Sequence, residues 1–287
     1  PFRRYQIGSV FRDEPTGSDR YREFMQCDAD IIGEPSIKAD VECILLWNDI
    51  FKELKINAKF NLNHKQLAHA ILDSIKIEKK TEVLRELDKI EKLGEDAVKG
   101  NIRKYADTNQ VITLFKLLEK DLNFFVKNAF EGAEELHELI KQTGLAGSSV
   151  SFNPFLVRGL PYYTGPLVEV KAEGTKSSIA GGGRYDKVVG KYLGRDMTAT
   201  GISASIERLM EIARVKHENT NLLIISLDQQ KEARRLAQKL RKNNISCILS
   251  EEKAGKALEY ANSYAIPYIV FIGKEELKKK KLKLKDM

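Results

Sequence analysis

Apolar and polar positions alternate with period two near the start of the chain. Tyr5 to Phe11 predicts one strand and Tyr21 to Ile32 a second. The polar run Asp13-Glu14-Pro15-Thr16-Gly17-Ser18-Asp19 between them predicts a turn. On the second strand Met25, Cys27, Ala29 and Ile31 share one face, which suits a core. The other face carries Arg22, Phe24, Gln26, Asp28 and Asp30. Ser36 to Phe51 has the apolar period of a helix, with Ser36 as a candidate N-cap. Lys59 to Leu62 reads as a short strand.

The period then changes. Leu84, Leu87, Ile90 and Leu93 recur at helical spacing, as do Leu114, Leu117, Leu118 and Leu122. No proline occurs between Pro35 and Pro154. Residues 64–148 therefore predict an all-helical insertion. Residues 149–217 return to strands and glycines and end in a helix from Ser205 to Val215. From residue 218 an alternation of strand (Leu222 to Leu227), basic helix (Gln229 to Asn243), strand (Ile245 to Leu249), helix (Lys253 to Tyr264) and strand (Tyr268 to Ile272) predicts an α/β domain. The phosphate-binding patterns GxGxxG and GxxxxGK[ST] are missing from it.

Composition narrows the class. The 287 residues are 42% hydrophobic and 31% charged, which fits a globular chain of about two domains. No apolar stretch is long enough to span a membrane. Cys27, Cys43 and Cys247 are too scattered for a disulfide framework or a CxxC site, so no structural metal and a reducing, cytoplasmic location are expected. The chain opens on Pro1 without an initiator Met and closes on a strand pattern, so it reads as part of a longer protein.

Charge is uneven. Residues 219–287 hold 15 Lys+Arg and 8 Asp+Glu, whereas residues 1–218 hold 33 of each. The whole excess of +7 lies in the C-terminal quarter. That suits either a polyanion such as nucleic acid or a solvated lysine-rich surface.

Several segments carry candidate chemistry. Arg3, Arg4, Arg12, Arg20 and Arg22 crowd the first 22 residues. A planar guanidinium holds phosphate through two parallel hydrogen bonds. The plainer reading is surface ion pairs with Asp13, Glu14, Asp19 and Glu23. Val157-Arg158-Gly159 places an arginine in an apolar strand, where it needs a partner. Tyr162 and Tyr163 offer aromatic walls and hydroxyls. Gly181-Gly182-Gly183 marks close approach by a ligand or another backbone. Gly201 to Leu209 runs from strand to helix and brings Arg208 near the strand end.

Together these segments resemble the class II aminoacyl-tRNA synthetases, and within them the histidyl-tRNA synthetases. Phe11-Arg12-Asp13-Glu14 with Arg20-Tyr21-Arg22-Glu23-Phe24 resembles motif 2, and Gly201 to Leu209 resembles motif 3. Val157-Arg158-Gly159 with Tyr162-Tyr163, and Gly181 to Asp186, resemble the two histidine-specific signatures.

The resemblance implies an α+β fold: an antiparallel synthetase sheet with flanking helices, the helical insertion, and a C-terminal α/β anticodon-binding domain lacking its last element. It implies ligation of L-histidine to tRNA(His) through a histidyl-adenylate, with ATP and its Mg²⁺ as substrate, and a homodimer. Arg12, Glu14, Arg20, Phe24 and Arg208 would bind ATP. Gln26, Asp30, Arg158, Tyr162, Tyr163, Gly182, Gly183 and Tyr185 would bind histidine. Arg158 and Arg12 would be the catalytic pair. Motif 1 and the acidic residue that binds the substrate amino group are not found, and Pro161 and Ser205 depart from the family pattern. The alternative is a non-catalytic paralogue that senses histidine as a regulatory subunit of ATP phosphoribosyltransferase.

Overall fold

The structure is a computed structural model that describes residues 1–13, 16–17, 21–158, 162–175, 177–214, 220–279 and 281–287. It divides into two units, Pro1–Arg214 and Val215–Met287.

The first unit is built on a seven-stranded sheet. Its strands are β1 (Phe2–Phe11), β2 (Glu23–Ile32), β3 (Ala58–His64), β4 (Val150–Phe152), β5 (Pro166–Ala172), β6 (Ala180–Arg184) and β7 (Ala199–Ser205). They lie in the order β1-β2-β7-β6-β5-β3-β4, antiparallel except for the β3–β4 pair. The spatial order departs from the chain order because β7 inserts between β2 and β6.

Helix α1 (Lys38–Glu53) covers one face of this sheet. Trp47 and Phe51 are buried there, Trp47 Nε1 donates to Ile202 O at 3.1 Å, and Phe51 meets Phe60 ring to ring. The helix begins two residues later than the sequence predicts. Ser36 does not cap it: its hydroxyl donates to Glu34 Oε1, and the N-cap position, Ile37, has no side chain that can accept.

Seven helices follow β3: α2 (Lys65–Ser74), α3 (Lys80–Leu87), α4 (Ile90–Leu93), α5 (Glu95–Ile102), α6 (Thr108–Leu118), α7 (Leu122–Lys127) and α8 (Ala133–Leu145). The leucine runs belong to more than one helix: Leu84 and Leu87 lie on α3, Ile90 and Leu93 on α4. A capping box opens α6, where Asp107 accepts from Gln110 N and Gln110 accepts from Asp107 N, each at 2.9 Å. The buried side chains of α2, α3 and α5–α8 join those of the sheet in one hydrophobic cluster. Two short helices complete the unit, α9 (Asp186–Leu193) and α10 (Ile206–Ile212).

The second unit has a four-stranded sheet: β8 (Leu222–Ser226), β9 (Cys247–Ser250), β10 (Tyr268–Ile272) and β11 (Leu284–Asp286), in the order β11-β10-β8-β9. The β10–β8–β9 core is parallel, and β11 pairs antiparallel on its edge. Helix α11 (Gln230–Lys242) packs Ala233 and Ala237 against Leu222 and Ile224 on one face. Helix α12 (Ala254–Ser263) packs Ala257 and Ala261 against Leu223 and Ile225 on the other. All five residues of β8 are buried, as a strand between two helix layers requires. Helix α13 (Lys274–Lys279) closes the α11 side through Leu277. Among the described residues no helix is long and apolar enough to cross a membrane.

Candidate active site

The register of the large sheet builds the site. Gln6, Asp28, Ser203, Gly181, Glu169, Asn61 and Ser151 are successive partners across all seven strands. The next row runs Arg4, Asp30, Gly201, Gly183, Leu167, Asn63. Side chains directly opposite each other share a face. Small residues stand at the centre of both rows and polar ones at the flanks, apart from the buried Leu167, so the uncovered face carries a depression with a mostly polar rim.

Two cavities occupy it. The larger, about 570 Å³, includes Arg12, Phe24, Gln26, Arg158, Glu169, Ser178, Ser205 and Arg208 in its lining. The smaller, about 250 Å³, includes Arg4, Asp28, Asp30, Tyr162, Tyr163, Gly182, Tyr185 and Gly201. Gly181 and Ser203 line both.

In the larger cavity the Arg12 guanidinium lies over the Phe24 ring, 3.9 Å from its centroid. Arg208 comes from the first turn of α10 and donates to Ser178 O at 2.5 Å. Glu207 beside it fastens the helix to the sheet, accepting from Met25 N at 2.6 Å and from the Ser205 hydroxyl at 3.1 Å. Burial opposes ionisation of Glu207, but these hydrogen bonds win and hold its carboxyl below the usual range.

Arg158 lines the larger cavity and lies against Gly181, which both cavities share. It is in no strand, contrary to the sequence expectation; the loop turns there with φ 35°. A non-glycine residue in that region is strained by about 1–3 kcal/mol, which commonly marks a functional position. Its Nη1 donates to Val168 O at 2.7 Å, and its guanidinium lies 5.8 Å from the Tyr163 ring centroid. A Cβ on Gly181 would fall 1.8 Å from Arg158 Nη1. The glycine is therefore required so that the guanidinium can lie on the sheet.

In the smaller cavity Asp30 accepts from Tyr185 Oη at 2.5 Å through Oδ1 and from Arg4 Nη1 at 2.9 Å through Oδ2. A Cβ on Gly201 would meet Asp30 Oδ1 at 2.0 Å, so this glycine makes room for the Asp30 carboxylate. Burial pushes the Asp30 carboxyl up, against the opposing effects of Tyr185 and Arg4. Burial also raises the Tyr185 and Tyr162 phenols, so both remain neutral hydrogen-bonding groups. Tyr162 stacks on Tyr163 and meets Tyr185 edge-on, at centroid distances of 4.6 and 6.3 Å.

Arg12, Phe24, Gln26 and Arg208 thus share one cavity, and Asp30, Tyr162, Tyr163, Gly182 and Tyr185 the other. Gln26 lines the larger cavity and donates to Asp28 Oδ1 at 2.7 Å. Gly183 stands beside Gly201 in the second row but lies outside both linings, with φ 148° and Pro166 O in the path of any Cβ. Its freedom serves the β6 backbone, and Gly181 is the glycine under the guanidinium. Glu14, Arg20, Gly159 and Pro161 lie outside the described residues. Of the clustered arginines, Arg3 pairs with Glu42 and Arg4 with Asp30.

Arg184 lies beneath the site, buried against Asp40 and donating to Ser36 O at 2.9 Å, while Thr200 donates to the same carboxylate at 2.7 Å. It is a structural cation. Glu169, Ser178, Ser203, Gly181 and Gly201 are site residues that sequence reasoning left unassigned. The signal for Glu169 was a lone acid in an apolar strand, but choosing its face required the register.

Among the described residues no group of three or more His, Cys, Asp or Glu side chains is arranged to hold a metal ion.

Comparison with known proteins places these features in context. Residues 1–209 match the family model described as Histidyl-tRNA synthetase, and residues 219–287 the one described as Anticodon binding domain. Histidine–tRNA ligase 1 of a Bacillus cereus strain is 36% identical over 315 residues, an alignment covering 100% of this chain and 73% of the relative. The crystal structure of histidyl-tRNA synthetase from Nostoc sp. PCC 7120 superposes with TM-score 0.87 at 25% identity, covering 100% of this chain and 74% of that one. A Bacillus halodurans structure titled as an ATP phosphoribosyltransferase regulatory subunit/histidyl-tRNA synthetase shares the fold, with TM-score 0.75 at 22% identity over 94% of this chain and 73% of that one.

Proposed function

This chain belongs to the histidyl-tRNA synthetase family, and we propose that it is a histidine–tRNA ligase that activates histidine with ATP in the two cavities, giving histidyl-adenylate and pyrophosphate, and passes it to the 3′ end of tRNA(His). One observation carries the reading. Arg12, Arg158 and Arg208 line an open polar cavity, Arg158 lies against Gly181, which that cavity shares with a smaller one, and the smaller one holds a part-buried acceptor, Asp30.

ATP, with its magnesium ion as part of the substrate, suits the larger cavity, where Arg12 and Arg208 would pair with phosphates and Phe24 would face the base. Histidine suits the smaller one. Its imidazole N–H would donate to Asp30, between Tyr162, Tyr163 and Tyr185, and its carboxylate would reach Arg158. The carboxylate oxygen attacks the α-phosphorus and the bond to pyrophosphate breaks. A carboxylate needs no base at neutral pH, so the chain has to supply positioning and positive charge. Arg158 would neutralise both reacting anions at once. A terminal ribose hydroxyl of the tRNA then attacks the acyl carbon and releases AMP.

The basic excess of residues 219–287 supports tRNA binding, since phosphate contacts dominate nucleic-acid affinity. Work on tRNA would place the protein in the cytoplasm. A homodimer is supported by the apolar side of β1, where Tyr5, Ile7 and Phe11 are 78%, 57% and 74% exposed. The regulatory-subunit reading leaves Arg12, Arg158 and Arg208 around one cavity without a use.

Histidine-dependent exchange between pyrophosphate and ATP tests the reading, with the other amino acids as controls. Exchange with histidine alone is expected. Histidine binding without exchange would sink the ligase and favour the histidine sensor.

A further inference from the structure

We propose that Arg4 is the positioning residue of the imidazole pocket, fixing the Asp30 carboxylate in the orientation that receives the ring N–H. The proposal rests on the histidine reading above. Arg4 is on β1, the edge strand, and its register partner is Asp30, so the two side chains share the pocket face. Nη1 donates to Asp30 Oδ2 at 2.9 Å, and Nη2 donates to Gln6 Oε1 at 2.5 Å. Gln6 lies two residues along the same strand and on the same face. A planar fork held at both tips has little freedom to rotate.

Tyr185 holds the other carboxylate oxygen. With one donor on each oxygen, the plane of the Asp30 carboxylate is set, and each oxygen keeps a further acceptor site. That plane lies over Gly201, where any Cβ would collide with Oδ1. The Asp30 side chain is only 12% exposed and that of Arg4 34%, so the pair is part-shielded from water.

Arg4 also favours the charged form of the acceptor. Asp30 faces Arg4 from β1, Asp28 from its own strand, Tyr185 from the β6–α9 junction, Ser203 from β7, Tyr162 and Tyr163 from the loop before β5, and Cys43 from α1 behind the sheet. Burial and the Asp28 charge favour the protonated acid; Tyr185 and Arg4 oppose them. Among these neighbours Arg4 is the cation. Without it, a carboxyl beside a like charge takes up its proton at higher pH. Once protonated, it loses the charge that strengthens its bond to the imidazole N–H.

The test compares Arg4→Met with Arg4→Lys in histidine-dependent pyrophosphate exchange from pH ~5.5 to ~8.5, a range that spans the ordinary titration of carboxyl and imidazole groups. Arg4→Met is expected to raise the histidine KM about tenfold, with the ATP KM and kcat within about twofold. The acid limb of kcat/KM for histidine should also move to higher pH. Arg4→Lys keeps the charge but not the fork, and should leave that limb near its original position while restoring only part of the KM. An unchanged histidine KM would overturn the proposal, and so would equal losses for both substrates or a limb that stays put in Arg4→Met. Calorimetric titration of histidine into each variant gives the same comparison without catalysis. Histidine binding without exchange would therefore remove the ligase reading and still decide the role of Arg4. No histidine binding by the unsubstituted chain would overturn both.

Discussion

The two sheets of this protein solve the same burial problem in opposite ways. The seven-stranded sheet is covered by α1 on one face, and its other face carries Asp28, Asp30, Ser203, Gly181 and Glu169. The four-stranded sheet has helices on both faces, and β8 is buried along its whole length. An antiparallel sheet tolerates water on one side, so it can floor a pocket. A parallel sheet between helix layers has no free face. Any recognition in the second unit therefore falls to helix surfaces and strand ends. Its exposed cations fit that division: Lys231, Arg235 and Lys239 are spaced four residues apart on α11, opposite the buried Ala233 and Ala237.

The largest effect that can break this division is at Arg158. Arg158→Ala should lower histidine-dependent pyrophosphate exchange by about 10²–10³-fold, as removal of one preorganised charge donor typically does. The unfolding midpoint should stay unchanged, because Arg158 lies on the open face of the sheet and the buried core lies on the other. A loss of less than about tenfold would take Arg158 out of the charge-donor role.

Gly201→Ala should come next. The added methyl occupies the space of Asp30 Oδ1, so the carboxylate must turn. The histidine KM should rise about tenfold and the ATP KM much less. Equal KM changes for the two substrates would argue against Asp30 as the imidazole partner.

The smallest effect tests the other sheet. Replacing Lys231, Arg235 and Lys239 together by Gln should leave pyrophosphate exchange untouched. It should raise the KM for tRNA and flatten its salt dependence, by about one unit of slope for each phosphate that is no longer neutralised. An unchanged salt slope would mean that tRNA does not lie on this face of α11.

The first two strands, helix α1 and the alternation of strands and helices over residues 222–272 were legible from periodicity, whereas residues 149–204 were read only as strands and glycines. The alternation from Phe24 to Ile31 assigned the faces of β2 correctly, and the apolar run at Leu222 to Leu227 predicted a strand that forms over Leu222–Ser226. Reasoning from local propensity fell short where tertiary context overrode it. Gly181 to Gly183 form a central strand despite weak propensity, because β5 and β7 pair with both edges of β6. Ser36 had an N-cap's chemistry but found Glu34 first. Arg158 was placed in a strand because its neighbours are apolar, yet the chain turns there to lay the guanidinium over Gly181.

The sequence by itself determined the periods of the elements, the uneven charge and the motif residues that carry the family likeness, since each is a property of neighbouring positions along the chain. Only the tertiary structure decided which residues meet. Arg4 was one of five clustered arginines until the β1–β2 register set it opposite Asp30. Arg184, in a segment that looked like pocket chemistry, became a buried partner of Asp40. Glu169 reached the cavity through a strand order that inserts β7 between β2 and β6. Register and strand order join residues that stand far apart along the chain, and the period of a strand carries no record of its partner.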